Sequence, residues 1–93
     1  MIREDIRQEL KEKEFNDTIL FDNPSFDDSI VGYTDDGRVV YDYDMMVEEL
    51  AREDGISFID AQEFIDYNTI RALPYAGEKA PIIVYGFMCN AQL

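Results

Sequence analysis

The sequence predicts an α+β domain in which a small, mostly antiparallel sheet packs under three helices. Two β-branched and aromatic segments flank the turn Asp35-Asp36-Gly37, apolar residues recur with helical spacing from residue 43 to residue 68, and an apolar segment begins at residue 82. The chain has 93 residues, of which 46% are hydrophobic and 13% aromatic. That is enough apolar material for one core and too much for a disordered polyanion. We therefore expect residues 1–93 to form a single domain.

The N-terminal part, residues 2–15, is predicted to be an amphipathic helix, because Ile2, Ile6 and Leu10 recur at every fourth position. This spacing stops at the polar residues 16 and 17. The β-branched and apolar residues 18–21 then predict a short strand, which an Asp-Asn-Pro turn signal ends.

A β-hairpin is predicted over residues 29–42, with strands at 29–33 and 38–41. The connection ends in Gly37, which can adopt the positive φ that closes a type I turn in a hairpin loop. An apolar strand is also predicted at 82–85, where both faces would be buried.

Two helices are predicted between the hairpin and the last strand, at residues 43–54 and 58–68. Asp42 and Ser57 can cap their N-termini by accepting hydrogen bonds from free backbone N–H groups. Gly55 can end the first helix in the left-handed conformation. The positions expected to face the core are Tyr43, Met46, Val47 and Leu50 in the first helix, and Phe58, Ala61 and Ile65, with Phe64 beside them, in the second.

The negative charge is concentrated in the middle of the chain. The formal net charge is −13, and residues 16–68 alone contain 15 acidic side chains and two arginines. A small domain needs a net charge of only about 2–8 for solubility. A larger charge costs stability through self-repulsion, so the excess either serves a partner or is tolerated for another reason.

Catalysis and metal binding are poorly supported by the residue inventory. The chain has no His and a single cysteine, Cys89, so Ser–His and Cys–His dyads cannot form and zinc lacks its usual ligands. The acidic residues also do not follow the spacing of a calcium-binding loop. We expect a protein that is not an enzyme and has no catalytic residue, no metal site and no cofactor.

Direct contact with nucleic acid or membrane is also not expected. The predicted helix pair has the outline of a helix-turn-helix, but its second helix has no Lys or Arg before Arg71, and phosphates would repel it. The apolar run 82–89 is far shorter than the roughly 20 residues that span a bilayer. The charged N-terminus and the lone cysteine favour a cytoplasmic location.

These patterns favour an acidic face that binds a basic, nucleic-acid-binding protein in place of nucleic acid. The carboxylates predicted to form it are Glu48, Glu49, Glu53, Asp54, Asp60, Glu63 and Asp66. One alternative is an antitoxin-like protein that neutralises a small basic toxin through the same face. Another is a protein whose acidity serves solubility only.

A second candidate surface comprises Tyr67, Asn68, Arg71 and Tyr75. Tyr and Arg are enriched at binding hot spots. The competing interpretation, which we favour at this point, places both tyrosines beside the core and pairs Arg71 with a nearby carboxylate.

Residues 31–85 carry the segments GYTDDGRVVYDYDMM, EELAREDG and DYNTIRALPY, the last being the most specific. This stretch, about three fifths of the chain, resembles a group of short acidic proteins from gut clostridia-like bacteria and their mobile elements. The resemblance implies no activity and assigns no role to any residue. In size and acidity alone, the chain is similar to phage-encoded inhibitors such as anti-CRISPR proteins and other DNA mimics.

Overall fold

A computed structural model describes residues 2–87 of the chain. The helices are α1 (Arg3–Glu12), α2 (Tyr43–Asp54) and α3 (Phe58–Phe64), and the strands are β1 (Ile30–Tyr33), β2 (Val39–Asp42) and β3 (Ile82–Val84). Shorter helical segments are a 3₁₀ turn at Asp27–Ser29, a π-helix at Ile65–Ile70 and a 3₁₀ turn at Leu73–Tyr75. The predicted α+β class is confirmed.

The sheet is mixed, which corrects the prediction of a mostly antiparallel one. Its strand order is β1-β2-β3, and β2 pairs antiparallel with β1 and parallel with β3. Val40 lies opposite Ile82 in the parallel pair. A parallel pair needs a long crossover, and α2, α3 and the turns after them supply it here. The second edge of β2 is therefore covered by a strand some forty positions away along the chain, a pairing that local patterns do not reveal.

The hairpin, α2 and the break between α2 and α3 are confirmed. Gly37 has a φ of +86° and Gly55 a φ of +66°, both in the left-handed region. The carboxylate of Asp42 accepts a hydrogen bond from the N–H of Met45 at 2.9 Å. The hydroxyl of Ser57 accepts one from the N–H of Asp60 at 3.0 Å. Each of these signals acts within a few residues, so the sequence is sufficient to place it.

Two helix boundaries differ from the prediction. α1 ends at Glu12, short of the predicted residue 15, because Glu14 has a φ of +67° and turns the chain out of the helix. The helix predicted at 58–68 is α-helical only as far as Phe64 and continues as the π-helix to Ile70.

The strand predicted at residues 18–21 is absent. This segment is held by hydrogen bonds that involve side chains, and not by backbone pairing with a neighbouring strand. The Thr18 hydroxyl donates a hydrogen bond to the carbonyl of Gly37 at 2.7 Å. Arg7 donates to the Thr18 carbonyl at 2.9 Å, and the Phe21 N–H donates to the Tyr41 hydroxyl at 3.0 Å. The segment is thus held against the hairpin without joining the sheet.

One hydrophobic core joins α1, the 18–26 segment, the hairpin, α2 and α3. Its fully buried side chains include Phe26, Val39, Tyr41, Met46 and Ile65. Ala61 and Ile65 face inward as predicted, but Phe58 does not, since 58% of it is exposed. β3 is half-buried and not buried on both faces.

None of the helices within residues 2–87 has both the length and the apolar character needed to cross a bilayer. Cys89 lies outside the described residues.

Candidate functional site

The helix α3 and the π-helix after it carry the best-defined group of exposed carboxylates. Asp60, Glu63 and Asp66 are three positions apart and exposed, a spacing that puts neighbouring side chains on one side of a helix. We call these three residues the α3 acidic face. Asp60 and Glu63 make no ion pair within residues 2–87, whereas the carboxylate of Asp66 accepts a hydrogen bond from the Tyr43 hydroxyl at 2.8 Å.

The predicted carboxylates of α2 do not extend this face as a group. Glu48, Glu53 and Asp54 are exposed as expected. However, Glu48 and Glu53 are five positions apart, which corresponds to about 140° around a helix, so they do not form one row along α2. Side chains three positions apart, such as Asp60 and Glu63, are separated by only about 60°. Glu48 instead borders a shallow hollow together with Phe58 and Ile56.

The assignment of Glu49 to the acidic face is wrong. Only 4% of Glu49 is exposed, because the 3₁₀ turn at Asp27–Ser29 packs over α2. The Ser29 hydroxyl, itself fully buried, donates a hydrogen bond to Oε1 of Glu49 at 2.8 Å. Burial raises the pKa of Glu49, and the hydrogen bond from Ser29 partly offsets this effect. Glu49 therefore belongs to the interior, where it binds Ser29, and not to the exposed acidic face.

The two arginines of residues 16–68 bind groups outside the α3 acidic face. Arg38 donates from Nε to the carbonyl of Ala80 at 2.8 Å. Arg52 lies 3.9 Å from the carboxylate of Asp28, and both side chains are largely exposed. A third arginine, Arg3, lies 2.9 Å from the carboxylate of Asp27, and its hydrogen bond to this carboxylate raises the pKa of the guanidinium.

An open groove runs beside the α3 acidic face. We call it the Tyr67 groove, and its lining residues are Glu63, Phe64, Asp66, Tyr67, Asn68 and Arg71. Tyr67 is 68% exposed and Phe64 40% exposed, so neither aromatic ring is taken up by the core. Three of the four residues predicted as a second surface therefore meet at this groove.

The side chains of the Tyr67 groove support each other. The guanidinium carbon of Arg71 lies 4.7 Å from the centroid of the Tyr67 ring, a cation–π geometry. The side-chain amide of Asn68 donates a hydrogen bond to the Phe64 carbonyl at 3.1 Å. The interpretation that placed Tyr67 beside the core and paired Arg71 with a carboxylate is wrong within residues 2–87.

Tyr75, the fourth predicted member, does not line the Tyr67 groove. It is 90% exposed in the 3₁₀ turn at Leu73–Tyr75, so it also does not flank the core. The residue that sequence reasoning missed is Phe64, which was placed beside the inner face. The π-helix begins immediately after it and alters the positions of the residues that follow, and no short-range pattern announces this change.

No group of three metal-ligating side chains comes together within residues 2–87. The chain was also compared with known proteins, and no family model, curated protein or solved structure matches it.

Proposed function

We propose that this chain is a non-enzymatic interaction protein of the bacterial cytoplasm that binds and blocks a basic, nucleic-acid-binding protein. The observation that carries the proposal is the α3 acidic face, whose carboxylates are exposed and of which Asp60 and Glu63 form no ion pair within residues 2–87. The concentration of charge in residues 16–68 supports it.

Charge spacing explains how such a face can substitute for nucleic acid. A helix rises about 1.5 Å per residue, so carboxylates three positions apart place one negative charge about every 4.5 Å along its axis. One strand of DNA carries a negative charge about every 3.4 Å. A cationic groove that neutralises successive phosphates would therefore meet a comparable charge density on a rigid element. Binding to the protein and binding to nucleic acid would exclude each other.

The test begins with the proteins of a bacterial lysate that bind duplex DNA on a column. These are passed over the immobilised chain at about 0.15 M salt, where exposed charges are screened over about 8 Å. We expect a basic protein to be retained, and to be released both by higher salt and by duplex DNA. The test variant carries Asp60→Lys and Glu63→Lys, both on the α3 acidic face. The matched control carries Asp17→Lys and Glu78→Lys, which change the net charge by the same amount at exposed positions outside that face.

The proposal requires that the first double variant lose the retained protein and the second keep it, with circular dichroism showing both folded. Equal retention by the two variants would refute the role of the α3 acidic face. Retention that duplex DNA does not disturb would favour the antitoxin-like alternative. If no basic protein is retained, the charge serves solubility.

A further inference from the structure

The Tyr67 groove holds aromatic surface in water beside the α3 acidic face. We propose that it binds an apolar or aromatic side chain flanked by Arg or Lys on the basic partner. This inference rests on the proposed function and adds a specific apolar contact to it. The partner would thus be recognised by two kinds of chemistry, its positive charge and one buried anchor residue.

The exposure of Phe64 and Tyr67 is the first support. Both rings remain accessible although the chain has a core that buries other aromatic side chains such as Phe26 and Tyr41. Single exposed apolar residues are common on protein surfaces, but neighbouring ones that share a concave surface mark binding sites. Tyr and Arg, which meet here, are also enriched among residues that dominate binding energy.

The π-helix is a second and independent support. π-Helical segments are rare and occur frequently at functional sites. This one spans Ile65–Ile70 and carries Asp66, Tyr67 and Asn68 of the groove. The irregular turn therefore falls at the place where the aromatic surface is exposed.

The groove is also ordered in advance of binding. Arg71 lies over the Tyr67 ring, and Asn68 is tied to the backbone of Phe64. Side chains that already have defined neighbours lose less conformational entropy when a ligand arrives. A ring inserted beside Tyr67 would extend an existing stack.

Charge favours a basic occupant. Two carboxylates, Glu63 and Asp66, line the groove with one cation, Arg71, whose guanidinium lies over the Tyr67 ring. Asp22 adds a third carboxylate in an adjoining hollow that shares Phe64 and Asn68 with the groove. A Lys or Arg beside the inserted residue would meet these carboxylates, whereas an acidic or neutral segment would gain nothing from them. A second copy of this chain would bring another −13 charge, so self-association through the groove is disfavoured.

The test uses two synthetic peptides of the same length and charge, both rich in Arg and Lys. One has a central Trp, and the other has Ala at that position. The protein contains no Trp, so the fluorescence of the peptide reports its burial selectively. Calorimetry gives both affinities, and amide chemical shifts of the ¹⁵N-labelled protein locate the binding site. We expect the Trp peptide to bind about tenfold more tightly than the Ala peptide and to shift residues 63–71.

Variants separate the apolar contact from the charge. Tyr67→Ala should remove most of the tenfold preference for the Trp peptide, and Tyr67→Phe should keep it. Tyr75→Ala is the matched control, because it removes an exposed tyrosine that does not line the groove. The Asp60→Lys, Glu63→Lys variant should bind both peptides more weakly and still bind the Trp peptide more tightly than the Ala peptide.

Equal affinity for the two peptides, or shifts outside residues 63–71, would overturn the inference even if a DNA-binding protein is retained by the α3 acidic face. Concentration-dependent shifts of the same residues without peptide would reassign the groove to self-association. The proposed function fails by a separate result: the Asp60→Lys, Glu63→Lys variant and the Asp17→Lys, Glu78→Lys variant would retain the same proteins from the DNA-binding fraction.

Discussion

Ser29 and Glu49 form a polar pair in the interior, at the contact between α2 and the turn that precedes β1. The Ser29 hydroxyl donates to the Glu49 carboxylate at 2.8 Å, and both residues are buried. Ser29→Ala would leave the carboxylate without this donor. We expect a loss of about 1–3 kcal/mol in the free energy of unfolding, the usual cost of an unsatisfied buried polar group. Urea denaturation measures it, and a change below a few tenths of a kcal/mol would contradict the contact.

The Glu49 carboxylate should also leave a signature in the pH dependence of stability. Burial raises the pKa of Glu49 in the folded state, so the folded protein holds this proton more tightly than the unfolded chain does. Its contribution to stability is therefore fully present below the unfolded pKa of about 4.3. It is lost as the pH rises through the folded pKa.

Glu49→Gln cannot titrate, so its stability relative to the wild type should increase as the pH rises from below 4 to 7. Denaturation at several pH values measures the difference in the free energy of unfolding between the two proteins. The contributions of the other titrating groups cancel in this difference. A difference that is independent of pH, or that has the opposite slope, would contradict the raised pKa.

Gly37 and Gly55 both have positive φ but differ in their surroundings. A Cβ at Gly37 would lie 2.7 Å from Cδ1 of Phe15, whereas a Cβ at Gly55 would meet nothing within 4 Å. Gly55→Ala should therefore cost only the left-handed backbone, about 1–2 kcal/mol. Gly37→Ala should cost more, because the Phe15 ring must also move. Equal losses of stability in the two variants, measured by thermal or chemical denaturation, would show that the Phe15 ring moves aside without cost.

At the scale of elements, the segment 18–21 depends on side chains for its position. Burial raises the pKa of Tyr41 to about 12, so its hydroxyl is neutral at ordinary pH, and it accepts from the Phe21 N–H. Tyr41→Phe should cost about 1–3 kcal/mol and speed hydrogen exchange at the Phe21 amide, with little effect on α2 amides. Tyr33→Phe, at a more exposed tyrosine, is the control. Unchanged exchange at Phe21 would mean that another group holds the segment.

The same elements show which features a sequence can reveal. Asp42, Gly55 and Ser57 act on backbone groups within a few residues, and all three were placed correctly. Glu49 was misplaced because the turn that covers it lies some twenty positions earlier in the chain. The direction of β3 depends on pairing with β2 across two helices. At the candidate site, the exposed acids of α3 followed from helical spacing, but the groove depends on a π-helix that such spacing does not foresee.

For the whole molecule, the net charge of −13 should make stability depend on ionic strength. Exposed carboxylates repel one another over the Debye length, which is about 30 Å at 0.01 M salt and 3 Å at 1 M. We expect the melting temperature to rise between these limits, by about 4–8 °C for each 1 kcal/mol of repulsion removed. The rise should be smaller for the Asp60→Lys, Glu63→Lys variant. A melting temperature that falls or stays constant with sodium chloride would contradict this.

The parallel pairing of β2 with β3 also bears on how the chain folds during synthesis. The hairpin and α2 can form from nearby residues, but Val40 meets Ile82 only after the intervening residues have left the ribosome. Until then β2 has an open edge, a common starting point for aggregation. Sheet completion is thus the slow, long-range step. A chain interrupted before residue 82 would keep its acidic helices and lose the strand that shields the hairpin.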